Sequence, residues 1–496
     1  DIKEFDMYRL KHHEFYIWMI GLILYYGYLG YIIPLHSTDW FWGSDHGMQV
    51  VSNAFNNFNG RYISNLLEFA SVHSILLRTL SFAFISIFIL VLLLRLLNQF
   101  GDTNYLILST VLLFIIPNSL FAQSYGNFEF FYTYVFGTCF SLYILSFIIR
   151  VLLNKDEFSR IEVFIFWLIC ILGQWFAEPL AFYNATIILV GMIYYAIRNH
   201  KLHYSLVLGW LLSLCGAMIM LLNDKYIYIF SSVEALRGHL DMLGLNHKFE
   251  ISLLKDIPRY LFFNNIIILS LIVIILMILL LKSSAFLTLP TIKRIILQTG
   301  ICILPIYKIF IYEPFNLKQL SETFTFEVIN TLLCLIMIVS IAISCKLVIQ
   351  LPYNRLLVFM SLVSIPISVL PVILITEVSV RQFYLAYLLC IIVLISLISE
   401  LGILTLNHYN LLKSCILIFA IINILIFTDV HMRSEQRLED VQSQIDSNKR
   451  HITLSHLPYE TYLFEITPAD EADLTSFKEF HHISEKYPFK ILPFEN

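Results

Sequence analysis

Charge is what this sequence has least of. Only 14% of its 496 residues are Asp, Glu, Lys or Arg, against roughly 25% in soluble domains. Hydrophobic residues reach 58% and mean hydropathy is +0.76, which excludes an ordinary water-soluble globule. No Lys/Arg-rich tract is present, so nothing points to a nucleic-acid partner. The eight cysteines all lie in or beside apolar segments and none in the long polar loops. They read as small lipid-phase hydrophobes and argue against a disulfide framework. No Gly-rich phosphate loop, Walker motif, nucleophile elbow or His-Glu-x-x-His stretch occurs. That argues against an ATP-driven pump and against a soluble-type hydrolase fused to spans.

What the chain has in abundance is long apolar runs. Runs of about 18 residues or more predict an all-α polytopic membrane protein, and the short alternating segments of a membrane barrel are missing. The runs predict about 13 transmembrane helices over residues 1–427, the first a retained anchor, followed by a small α/β cap at 428–496. Lys and Arg set the orientation. Fifteen fall in one set of alternate segments, against Arg61, Lys318 and Arg381 in the short segments of the other. The N-terminus is therefore expected in the cytoplasm. The first loop (35–72), the second large loop (223–262) and the tail are expected on the outer face. Met48, Val51, Phe55 and Phe58 in the first loop, and Val233, Leu236, Leu240 and Leu243 in the second, recur at helical spacing. They predict amphipathic helices at headgroup level. Asn59-Gly60 breaks the first, and Ile63, Leu66 and Leu67 open another. In the tail, Met432–Lys449 reads as a polar helix, and His451–Leu454, Tyr462–Ile466 and Lys490–Leu492 as short strands.

The first loop is the densest chemical stretch. His36–Ser71 packs Asp39, Asp45, His36, His46 and Arg61 between aromatic side chains, a combination a tether does not need. A carboxylate here serves as general base, metal ligand or cation partner. Alternatively, Ser44 or Asp45 simply caps the Met48 helix. Arg61 binds phosphate bidentately or snorkels to the headgroups. Further polar groups sit at the outer ends of later spans: Gln123 to Glu129, including Asn127; the Glu178 turn; and Glu377 with Arg381. Acids at the rim of a span usually face a cavity. Glu377 and Arg381, four apart, either pair with each other or leave Arg381 as a phosphate clamp. Glu313 and Glu322 read as plain loop solvation. His36 and His46 with two Asp are a conceivable divalent-metal set, but their spacing matches no metal signature, and no cofactor is expected.

Thr38-Asp39-Trp40-Phe41-Trp42, Asn59-Gly60-Arg61-Tyr62, the Gly126-Asn127 turn, the Glu178 turn and Arg381-Gln382-Phe383 together resemble the GT-C superfamily of polytopic glycosyltransferases. Within it, the chain looks like the bacterial O-antigen serotype-converting glucosyltransferases and their membrane relatives. Such relatives commonly begin the loop with two adjacent acids, whereas Thr38 precedes Asp39 here. The resemblance implies a multi-pass protein of a bacterial plasma membrane. It further implies a polyprenyl-phosphate sugar donor and a surface glycan or lipid-linked acceptor. In that reading Asp39 is the base and Asp45 orients the acceptor. Arg61 and Arg381 hold the donor phosphate, and Trp40 and Trp42 stack on sugar rings. His46, Asn127, Glu129, Glu178 and Glu377 contribute to substrate binding. Interfacial anchoring is the competing role for the tryptophans. Rival functions are a transporter or flippase for a lipid-linked saccharide, and a surface-polysaccharide polymerase or ligase. A transporter predicts charges at mid-membrane, where only Lys308 stands out, and a polymerase predicts a site in a late outer loop.

Overall fold

In the computed structural model the described residues are 2–153, 158–231, 251–317, 323–374, 378–402 and 409–493, with side chains at all of these except 2–12, 229–231, 374 and 409. Most of them are helical, as a chain without water must satisfy its backbone internally. After α1 (Ile2–Ile32), the first loop folds as three short helices: α2 (Thr38–Gly43), α3 (Asp45–Ser52) and α4 (Tyr62–His73). Then come α5 (Ile75–Leu96), α6 (Thr103–Phe114), α7 (Asn118–Ala122), α8 (Phe128–Leu152), α9 (Arg160–Leu172), α10 (Glu178–Asn199), α11 (Tyr204–Leu221) and α12 (Asp224–Ser231). The second half holds α13 (Ser252–Phe263), α14 (Ile266–Lys282), α15 (Ser284–Leu287), α16 (Thr291–Tyr312), α17 (Phe324–Val348), α18 (Pro352–Ile373) and α19 (Val380–Leu401). Finally α20 (Tyr409–Asp446) leads into the tail, with β1 (Ile452–Ser455), α21 (Glu471–Phe480) and β2 (Phe489–Leu492).

Local sequence sets these boundaries. The Asp102 side chain caps α6 by accepting from the Asn104 amide at 2.7 Å. Ser159 and Glu162 form a capping box at α9, and Pro179 and Pro352 occupy the first turns of α10 and α18. Gly402, at φ 64°, ends α19.

Ten helices among the described residues are long and apolar enough to cross a bilayer, or eleven if α13 and α14, bent by 67°, act as one. The sequence alone predicts about thirteen. Two of those spans, Tyr105–Phe121 and Ile161–Ala177, fold as the short helices α6 and α9. Pro117 follows the end of the first, and Gly173 closes the second. At 1.5 Å per residue they reach roughly 18 and 20 Å, short of a hydrocarbon core of about 30 Å.

Polar contacts gather at the two ends of the bundle. One end holds the Arg150–Glu162 pair at 3.0 Å, Arg198 donating to the Leu152 carbonyl at 3.0 Å, Asn354 donating to Glu400 at 2.9 Å, and the Lys413–Glu14 pair. The other end holds the first loop, α7, the starts of α8, α10 and α19, and the tail.

Three local expectations change. The Met48 stripe does not extend as one helix. Instead α3 stops at Ser52, and Ala54, Phe55 and Asn57 take φ of 52°, 61° and 60°. This turns Phe55 and Phe58 beneath Trp42, at ring distances of 6.4 and 5.2 Å. Met432–Lys449 is not a separate helix, because α20 runs through it unbroken to Asp446. Tyr462–Ile466 forms no strand. Leu463 and Ile466 are buried in the bundle core and Phe464 packs on Phe130 at 5.3 Å, so the stretch follows the bundle rather than a sheet. β1 and β2 do pair, in parallel, with Ile452 opposite Phe489. The Val233 stripe, Glu322 and Glu377 lie outside the described residues.

Candidate functional site

The first loop and the tail share one small core. Trp40, Val441, Ile452, Leu454 and Phe477 form a buried cluster, in which the Trp40 ring meets Phe477 edge-on at 5.1 Å. This fixes α2 beneath the tail. The residue before α2, Ser37, sits at φ 54°, ψ −122°, a region that only glycine visits easily. Its hydroxyl donates to Glu465 Oε2 at 3.2 Å, which ties the strained turn to the tail.

That turn delivers Asp39 into the protein. Its carboxylate is fully buried. Oδ2 accepts from the His36 amide at 3.1 Å, and Oδ1 makes no hydrogen bond of ordinary geometry. Burial pushes the Asp39 pKa up to about 7, and the Glu129 charge adds to the rise. The His36 amide, the Arg78 guanidinium and the Glu129 amide pull in the opposite direction. The His36 ring lies 4.0 Å from Asp39 Oδ2 and 2.8 Å from the Pro34 carbonyl. Burial lowers its pKa to about 4, so it is a neutral neighbour and not a counter-ion.

A second buried carboxylate, Glu68, escaped the sequence reading. α4 looks like an interfacial helix with Ile63, Leu66 and Leu67 on its working face. The structure turns it the other way. Ser64, Asn65, Glu68 and Ser71 are the buried residues, while Leu66 is exposed. This polar stripe at helical spacing was the available signal. Neither Glu68 oxygen makes a hydrogen bond of ordinary geometry. Burial, then Glu129, then Asp39 hold its pKa well above the usual carboxylate range, and the nearby Trp42 indole offsets this only in part. Glu129, at the start of α8, is half-buried. Arg78, near the start of α5, is buried with Nε unpartnered and its guanidinium 5.4 Å from the Phe128 ring centre. Tyr132 is fully buried, bonds to Ser81 at 2.6 Å and lies within the electrostatic reach of Glu68 and Asp39. It belongs to a π-helical turn, Phe131–Phe136, a distortion often found at functional sites. Asn127 caps α8 by accepting from the Phe130 amide at 3.1 Å, and its Nδ2 is unpartnered.

Other candidates are engaged elsewhere. Arg61 and Glu178 hold each other, with Nε 3.1 Å and Nη2 2.8 Å from Oε2, and the Tyr226 hydroxyl donates to Glu178. Asp45 is exposed in the first turn of α3, on the outside while Asp39 is inside. His46 is exposed and pairs with Glu479 at 3.0 Å. Trp40 and Trp42 are each only 1% exposed, enclosed by Phe477 and by Phe41, Phe55 and Phe58. Arg381 lies over the Phe130 ring at 3.7 Å, faces Phe464 at 5.8 Å and leaves Nε unpartnered. Among the described residues no set of three His, Cys, Asp or Glu is arranged to hold a metal ion.

The structure therefore brings Asp39, Glu129 and Asn127 together with Glu68, Arg78 and Tyr132, and sets Asp45, His46, Arg61 and Glu178 apart. This arrangement suits proton transfer to or from a ligand hydroxyl beside one cationic group. No protein-family model, curated protein or solved structure matches the chain.

Proposed function

We propose that the protein is a membrane glycosyltransferase of the GT-C type, moving a monosaccharide from a polyprenyl-phosphate donor to a hydroxyl of a surface glycan or lipid-linked acceptor. The observation that carries this reading is Asp39. It is a buried carboxylate with one oxygen free of any hydrogen bond of ordinary geometry and a pKa of about 7, placed in the polar loop beside Arg78. A general base works best when its pKa is near the ambient pH. In the reaction, Asp39 takes the proton of the acceptor hydroxyl as that oxygen bonds to the anomeric carbon. The bond from that carbon to the phosphate oxygen breaks, the polyprenyl phosphate leaves, and the anomeric centre inverts. Arg78 and Arg381 supply positive charge to the departing phosphate. Arg61, held by Glu178, is assigned to organising the loop. The buried tryptophans shape the site rather than stack on sugar.

The experiment is sugar transfer by the full-length protein from a panel of synthetic polyprenyl-phosphate sugars to crude surface glycan, without an energy source. Asp39→Asn is expected to retain donor binding and lose about 100-fold or more in rate. Full activity in that variant would remove Asp39 from the chemistry.

A second reading, a proton-coupled transporter, is favoured by one observation: Glu68 is a buried titratable carboxyl without a hydrogen bond of ordinary geometry. It predicts that Glu68→Gln abolishes a pH-gradient-driven flux in vesicles, with no sugar transferred by the wild type.

A further inference from the structure

Away from the acid cluster, at the same end of the bundle, three π-helical segments converge: Ser252–Asp256 and Pro258–Phe263 in α13, and Lys308–Tyr312 in α16. They enclose a polar cavity of about 310 Å³ with Asn330 of α17 on its wall. Three cations line it, Lys255, Arg259 and Lys308, against two acids, Glu313 and Glu327. Lys308 is already occupied, with Nζ 2.5 Å from Glu313 and 4.2 Å from the Tyr312 ring centre. Among the described residues no acid forms an ion pair with Lys255 or Arg259. These two stand four apart, close to one turn of a π-helix, so both heads serve one opening.

The Tyr307 hydroxyl donates to Asn330 Oδ1 at 3.0 Å, and this bond forms a seam. Beyond it, a separate apolar groove of about 460 Å³ runs along α16 from Ile311 back to Gln298, with Met277, Cys302 and Leu333 as walls. From Lys308 to Gln298 the helix descends roughly 15 Å at 1.5 Å per residue. That matches about half of a 30 Å hydrocarbon core. A net positive polar mouth above an apolar slot one leaflet deep has the shape and charge of an amphiphile.

We propose that this groove is a binding site for an anionic lipid. The phosphate sits between Lys255 and Arg259, and one hydrocarbon chain lies against Tyr307, Cys302 and Leu333. Glu313 neutralises Lys308, which leaves the phosphate to Lys255 and Arg259, neither of them paired with an acid among the described residues. Glu327 restricts the mouth to a small head. The site lies apart from Asp39 and stands whether or not that carboxylate is a catalytic base.

The test is native mass spectrometry of the detergent-solubilised full chain. The probes are phosphatidic acid, phosphatidylcholine with the same chains, a polyprenyl monophosphate and inorganic phosphate. Phosphatidic acid or polyprenyl monophosphate is expected to bind at least tenfold tighter than phosphatidylcholine. The tighter of the two identifies the source as bulk glycerophospholipid or isoprenoid carrier. Lys255→Gln with Arg259→Gln is expected to weaken the anionic lipid at least tenfold and leave phosphatidylcholine unchanged. Cys302→Trp, which fills the slot, is expected to weaken the lipid and spare inorganic phosphate. Elution volume and melting temperature report whether each variant folds. In the wild type, raising salt weakens only the anionic lipid. Equal binding of phosphatidylcholine, salt-independent affinity, or inorganic phosphate matching the lipid would each overturn the proposal.

Discussion

Asp39 is folded into a place that opposes its own charge, and this has a measurable sign. Its folded pKa of about 7 lies above the ordinary value near 4, so the native state holds the proton more tightly than the unfolded one. Its contribution is fully present below about pH 4 and is lost as pH rises to about 7. Asp39→Asn should therefore raise the melting temperature at pH 8 by several degrees and leave it unchanged at pH 4. An equal gain at both values would mean that burial of the charge is not the cause. Activity should move oppositely, rising through an apparent pKa near 7 in kcat/KM against pH. The Arg61–Glu178 pair behaves differently. Each side chain is more than a quarter exposed, so solvent screens it, and a double-mutant cycle should give a coupling of about 1 kcal/mol. Asp39 was legible in the sequence because it stands directly before the aromatic run Trp40-Phe41-Trp42. Glu68 was not. An amphipathic helix shows two faces but does not say which one meets lipid, and in a membrane protein the polar face is often the buried one.

Among elements, the contact between first loop and tail decides whether the site exists. Trp40 is the shared piece of that core, and Trp→Ala in a packed core costs about 3–5 kcal/mol. Trp40→Ala should raise hydrogen exchange in β1 and α21 together and lower the melting temperature. A higher KM with unchanged exchange would instead support sugar stacking. Gly126 makes the second contact. A Cβ there would come within 2.6 Å of the Tyr462 carbonyl, a backbone atom that has little room to give. Gly126→Val should loosen residues 459–463 while leaving α8 protected. The strand expected at Tyr462–Ile466 failed for the same reason: its apolar residues answer to the bundle, a partner that no local pattern names. The α3 stripe failed because Phe55 and Phe58 are drawn to Trp42, at a distance that periodicity cannot express.

At the scale of the whole molecule, the apolar runs alone established a multi-span helical protein. Their count was less secure, because short helices such as α6 and α9 are apolar without having the length to cross unaided. The polar clustering at two ends agrees with the alternation read from Lys and Arg. An impermeant maleimide applied to intact cells should label Ser447→Cys and spare Lys201→Cys; the reverse pattern would invert the topology. α20 adds a constraint of another kind. It is a single helix of 38 residues, about 57 Å long, and roughly half of that length extends past its apolar part. Its polar half is seated and not raised: Val441 joins the Trp40 cluster, and Leu463 and Ile466 of the tail lie in the bundle core. The tail is therefore a fixed lintel laid on the first loop, and a molecule bound for Asp39 would have to enter past its edge, not under it.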